Sequence, residues 1–162
     1  YWLGKSLVAL DKWFEAIHYF KKAHKFDLEN IEYIKSLAYA EFKVGNMVSS
    51  IELYNKALEI DPSDYKIALE FSSIYYESGD IDKAICLIED AIDELPSESL
   101  LYYRLVIYLM DAGKYRESIN VLESALSLNF DNHEVLFDFV PNFETQSALI
   151  RVINQYRKNN PQ

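Results

Sequence analysis

The chain holds one cysteine, Cys86, so no internal disulfide can form and any core must close by packing alone. Its three histidines, His18, His24 and His133, stand apart without metal-ligand spacing. HExxH, CxxC, a glycine-rich phosphate loop and a nucleophile elbow are all missing. The sequence therefore offers no catalytic constellation, and no enzyme activity, metal or cofactor is expected. Basic residues are scarce as well: 16 Lys and Arg stand against 26 Asp and Glu, a formal charge of -10. Neutralising phosphates needs the opposite balance, so nucleic acid is not an expected partner. Apolar runs are short. The longest, Leu105 to Met110, falls far below the ~20 residues of a membrane span. No membrane partner is expected, and a cytoplasmic location is the reading that follows. The chain opens without Met, which leaves a lost leader or upstream repeats open.

What is present is a period. Ala23, Ala57, Ala91 and Ala125 are spaced by 34 residues, as are Ile17, Ile51, Ile85 and Ile119. A 34-residue interval marks tandem helix-turn-helix units, none of which buries its apolar face without a neighbour. Half of the residues are hydrophobic, with 13 Tyr and 9 Phe, enough to build such an interior. Gly45, Gly79 and Gly113 share the interval and suit the left-handed residue that closes a first helix, with Asn46 and Asp80 as caps for the second. Asp11 holds this column in the first unit, while Pro62 and Pro96 mark the opposite turns. The second helices repeat one face: Trp13, Ala16, Ile17, Phe20 and Ala23 return as Met47, Ser50, Ile51, Tyr54 and Ala57, and twice more. The spacing predicts helix pairs at 1–10/13–26, 31–44/47–60, 65–78/81–94 and 99–112/115–128. After Asn132 the period fails. A short helix from His133, ended by Pro141 at Val140, precedes a half-polar helix from about Phe143 to Lys158 that reads as a cap.

These residues resemble the tetratricopeptide repeat family. The resemblance rests on the first-helix column Leu3, Leu37, Phe71, Leu105, the small column Gly4, Ala38, Ser72, the glycine turns, the alanine and aromatic columns of the second helices, and Pro62 and Pro96. It covers residues 1 to about 140. It implies an all-α, right-handed superhelical array of about four and a half repeats over 1–162: a partial repeat at 1–30, repeats at 31–64, 65–98 and 99–132, and a degenerate fifth with its capping helix at 133–162. Three departures stand out. Val106 replaces a small residue, Leu28 and Phe130 replace the turn proline, and Glu41 takes a column held by Leu7, Tyr75 and Leu109. Glu41 reads as a packing defect or as a carboxyl bent outward.

The resemblance also implies that the first helices line a concave groove that takes a peptide. On that phase the groove includes Lys35, Tyr39, Phe42, Lys66, Leu69, Tyr76, Tyr103, Arg104, Ile107, Met110 and Phe137. Its aromatics serve either as contact area for a ligand or as packing against neighbouring first helices. Its charges are ordered, with Lys5, Lys35, Lys43 and Lys66 early and Glu70, Glu77, Asp111, Glu134 and Asp138 late. The lysine and asparagine set of a chaperone-tail carboxylate clamp is missing, and Glu70 would repel a carboxylate. The leading expectation is a non-enzymatic adaptor that binds a protein or peptide segment. The alternatives are self-association through the N-terminal end at Tyr1, Trp2 and Leu3, or an accessory region of a longer protein. A second charge feature, nine acids between residues 65 and 98 against Lys66 and Lys83, reads as a solvated face or a dock for a basic partner.

Overall fold

A computed structural model describes residues 1–139 and 143–160, with backbone alone for 139 and 143–146. Every regular element among them is helical. The helices run α1 (Trp2–Ala9), α2 (Trp13–Phe26), α3 (Ile31–Lys43), α4 (Met47–Ile60), α5 (Tyr65–Glu77), α6 (Ile81–Glu94), α7 (Ser99–Asp111) and α8 (Tyr115–Leu128). A 3-10 turn at Phe130–Glu134, α9 (Val135–Phe139) and α10 (Phe143–Asn159) follow. The four expected pairs are thus present to within two residues at each boundary. Pro141 and Val140, where the short helix was expected to end, lie outside the described residues. The chain forms two compact units, one from Tyr1 to Ile74 and one from Tyr75 onward.

The turns inside each pair follow from their backbone. Gly45, Gly79 and Gly113 sit at φ 86°, 86° and 75°, where a side chain would collide with its own carbonyl. At each the chain doubles back with two hydrogen bonds: Gly45 N–H donates to Phe42 O at 2.8 Å and Asn46 N–H to Glu41 O at 2.8 Å. Asp11 makes the same turn at φ 58° without glycine, and its carboxylate accepts from the Trp13 indole. The turns between pairs use a different device. Asp27, Asp61 and Asn129, three of the four residues of one 34-residue column whose other member is Leu95, each accept from the backbone N–H two residues on, at 3.2, 3.0 and 3.1 Å. This explains how Leu28 and Phe130 replace proline without loss of the turn, because the residue before them sets it.

In the first unit the core closes on Ala16, Ile17, Phe20, Leu37 and Ala40, with Tyr1, Leu7, Val8 and Trp13 against its edge. The Tyr54 and Phe71 rings stack at 5.2 Å and join α4 to α5. Leu3 departs from its column: it is 53% exposed while Leu37, Phe71 and Leu105 are buried. Those three each pack against the helix that precedes them in the chain. Glu41 corrects the sequence reading on both counts. Its side chain is 2% exposed, its carboxylate meets Lys21 Nζ at 2.8 Å, and Asn46 Nδ2 donates to it at 2.6 Å. It is a satisfied buried charge, and it draws the Asn46 side chain away from the expected capping role. Asp80, by contrast, does cap, accepting from Lys83 N–H at 3.3 Å.

Two substitutions test this packing. A Cβ on Gly4 would stand 2.6 Å from the buried ring of Phe20. Overpacking of ~1–3 kcal/mol then outweighs the ~1 kcal/mol helix preference for alanine. Gly4→Ala is therefore expected to lower the melting temperature. Ser50 is fully buried and its hydroxyl has no hydrogen-bond partner, while Ala16 and Ala84 hold the same column. Ser50→Ala is expected to raise stability by ~1 kcal/mol in urea unfolding, and a loss would show that the hydroxyl is satisfied in solution.

Candidate binding surface

On α3 and α5 the first unit presents side chains that its core does not need. Tyr39 and Phe42 are half-buried, and the Tyr39 ring meets Trp13 edge-on at 5.5 Å. The Lys43 ammonium lies 5.0 Å above Tyr39 and 5.3 Å above Phe42. The result is an aromatic shelf already shown to hold a cation against its faces. Lys66 is exposed and Leu69 half-buried on the same unit. Trp13 was assigned to the core from its column, and only its contact with Tyr39 brings it to this surface.

Lys35 corrects the expectation that it faces a ligand. It is 8% exposed, and its ammonium pairs with Glu70 at 2.9 Å and Glu32 at 3.1 Å. Burial lowers its pKa, but the hydrogen bonds and charges of Glu70 and Glu32 outweigh that and leave it raised. Lys35 and Glu70, read as opposing ends of a charge gradient, neutralise one another. The early positive stretch reduces to Lys5, Lys43 and Lys66.

The second unit carries a separate patch. The last turn of α5 brings Tyr76 against α7, where its ring stacks on Tyr108 at 4.9 Å and its hydroxyl donates to Asp111. Arg104 lies over the other part of the Tyr108 ring, 5.8 Å from its centre. Tyr108 escaped the sequence reading although its i, i+4 spacing from Arg104 was a usable signal. Tyr103, Ile107 and Met110 are buried, a second correction to the ligand-facing set. Tyr103 donates its hydroxyl to the Asn129 carbonyl at 2.8 Å, which ties α7 to the turn after α8. Phe137 is half-buried and meets His133 edge-on at 6.3 Å. Of the residues read as a groove, Tyr39, Phe42, Lys66 and Leu69 remain accessible in the first unit and Tyr76, Arg104 and Phe137 in the second.

A cleft of 540 Å³ lined by Leu126, Leu128, Phe130, Asp131, Tyr156 and Arg157 escaped the sequence reading. Phe130 accounts for one wall, stacking on Tyr156 at 6.3 Å beneath the Arg157 guanidinium at 5.0 Å. Among the described residues no group of three or more His, Cys, Asp or Glu is placed to hold a metal. No described helix is long and apolar enough to cross a membrane. His24 is held below the usual histidine range by burial and by nearby Lys56.

The paired helices and their glycine turns now meet their counterpart among known proteins. A family model for the tetratricopeptide repeat matches residues 36–64 and 100–132. The chain carries tetratricopeptide repeats. Two curated relatives carry similar stretches. Superkiller protein 3 of Saccharomyces cerevisiae is 35% identical over 74 residues, 46% of this chain and 5% of that protein. BBSome complex member BBS4 of Bos taurus is 28% identical over 126 residues, 76% of this chain and 24% of that protein. The chain thus spans a quarter or less of either relative. Among solved structures, a crystal structure of MamA superposes with a TM-score of 0.64 at 22% identity, covering 86% of this chain and 76% of that one. MamA of Desulfovibrio magneticus RS-1 gives 0.61 at 12% identity over 99% and 94%. These likenesses establish the fold. Repeats of this family serve as protein-interaction scaffolds.

The Tyr76 contact has a measurable signature. Its hydrogen bond to Asp111 comes first among the causes, then burial, that raise its pKa to about 12. A raised pKa favours the protonated phenol in the folded state. The contribution is complete below the ordinary tyrosine value of about 10 and is lost as pH rises to about 12. Tyr76→Phe is expected to flatten the alkaline fall in melting temperature across that window. Asp111→Asn should return one phenol to the ordinary range in an ultraviolet titration.

Proposed function

We propose that the chain is a non-catalytic scaffold that binds an extended segment of a partner protein through the exposed side chains of its first helices. The observation that carries this reading is the shelf of Trp13, Tyr39 and Phe42. Its rings are partly open to solvent, and Lys43 already rests on two of them. Rings held on rigid helices give contact area at little entropic cost. A basic or amide-bearing side chain of a partner fits where Lys43 now lies. Lys66, exposed on α5 of the same unit, supplies a charge for an acidic residue of the same segment.

Peptides selected from a random display library on the whole chain provide the test. Their affinity is expected to fall about tenfold or more with Tyr39→Ala/Phe42→Ala and to fall with added salt for Lys66 contacts. Equal affinity for wild type and the double variant would remove the shelf from the binding site.

A second reading, self-association through the N-terminal end, is favoured by one specific observation. Trp2, Leu3 and Leu10 are 80%, 53% and 67% exposed on a single short helix and its cap, an unusual concentration of apolar surface.

A further inference from the structure

The aromatic shelf of the first unit is occupied by the chain's own cation. Lys5 and Lys22 each lie over one ring, Tyr1 at 5.4 Å and Tyr19 at 5.9 Å. Lys43 lies over two at once, 5.0 Å from the centre of Tyr39 and 5.3 Å from that of Phe42. Those rings stand 6.4 Å apart with their planes 41° from one another. They form a V in which the negative faces of two aromatics converge on one point. We propose, building on the scaffold reading, that this V is the seat of an arginine side chain of the partner segment, and that Lys43 is a built-in occupant which the arginine displaces.

Lys43 is the kind of occupant that leaves. It follows Tyr39 by four residues and Phe42 by one, so it reaches both rings from its own helix, and a change of side-chain rotamer withdraws it with no shift of α3. The residue is exposed, and its ammonium is a compact, strongly hydrated charge that gains little from an aromatic face open to water. A guanidinium gains more, because it is planar, weakly hydrated and stacks on a ring. The second unit places two arginines in this way, Arg157 at 5.0 Å over Phe130 and Arg104 at 5.8 Å over Tyr108. The first unit has no arginine of its own to compete for the shelf. Arg104, Arg116, Arg151 and Arg157 all come after Ile74, and every basic side chain before it other than histidine is a lysine. The formal charge of -10 over the whole chain also attracts a cationic segment.

The nature of residue 43 then grades the affinity. Met, Lys and Arg have nearly equal helix propensity, so exchanging them there keeps α3. Lys43→Met empties the V, and Lys43→Arg fills it with the better cation at unchanged charge. An NMR titration of the whole chain with the blocked tripeptide Gly-Arg-Gly, read from the ring signals of Tyr39 and Phe42, tests this. Affinity is expected to rise about two- to fivefold in Lys43→Met and to fall about as much in Lys43→Arg, the worth of one exposed cation–π contact. Blocked Gly-Lys-Gly should bind more weakly than Gly-Arg-Gly to all three proteins. Lys66→Met removes one exposed charge from α5 of the same unit and should give a smaller gain, which salt abolishes.

Equal affinities of Lys43→Arg and wild type, or equal gains in Lys43→Met and Lys66→Met, overturn the built-in occupant. No saturable shift with Gly-Arg-Gly overturns the arginine seat. Display-selected peptides that need Tyr39 and Phe42 yet carry no arginine keep the scaffold reading and overturn the seat, whereas peptides indifferent to Tyr39→Ala/Phe42→Ala remove both.

Discussion

The architecture depends on how closely the two helices of a pair can approach, and that distance is set by one small residue facing one large one. Gly4 lies under the Phe20 ring with no room for a methyl group. Sixteen residues separate the two, and the same interval joins Ala38 to Tyr54 and Val106 to Leu122, all fully buried. The largest rings are joined to the smallest residues: glycine and alanine to phenylalanine and tyrosine, serine (Ser72, with Ile88) and valine to isoleucine and leucine. Val106, which looked like a departure from the family pattern, is tolerated because its partner position carries no aromatic ring.

From that approach follow the turns and the exposed surface. Pairs packed this tightly leave two residues or so to reverse the chain, which demands the left-handed conformation at Gly45, Gly79 and Gly113. Between pairs, the Asx carboxyl or amide at Asp27, Asp61 and Asn129 sets the bend. The residue after it is then free to vary. At residue 130 that freedom is used for a phenylalanine, which holds Tyr156 and Arg157 of α10. The loss of the repeat period and the docking of the last helix share this one substitution.

Helix spans and turns were legible because each is set by residues within a few positions of each other, repeated four times. Side-chain partners were not. Phase along a helix gives the direction of a Cα–Cβ bond, but what stands in front of it comes from distant sequence. Lys35 is neutralised by Glu70, Glu41 by Lys21, and Tyr103 is sealed by the carbonyl of Asn129. In each case the outcome depends on which residue the neighbouring helix carries, and no periodicity within the first helix reports it. The accessible aromatics, Tyr39, Phe42 and Tyr76, fared better because they lie at the edge of that neighbouring helix and keep part of their exposure.

The buried Glu41 also ties α3 to one particular neighbour. Its cation comes from Lys21, whose column continues as Asn55, Glu89 and Glu123, while its own column reads Leu7, Tyr75 and Leu109 elsewhere. Charge sets the match: behind Asn55 the carboxylate would lack its cation, and behind Glu89 it would face another acid in a site with little water. A single ion pair in this way marks α3 as the helix that fits behind α2.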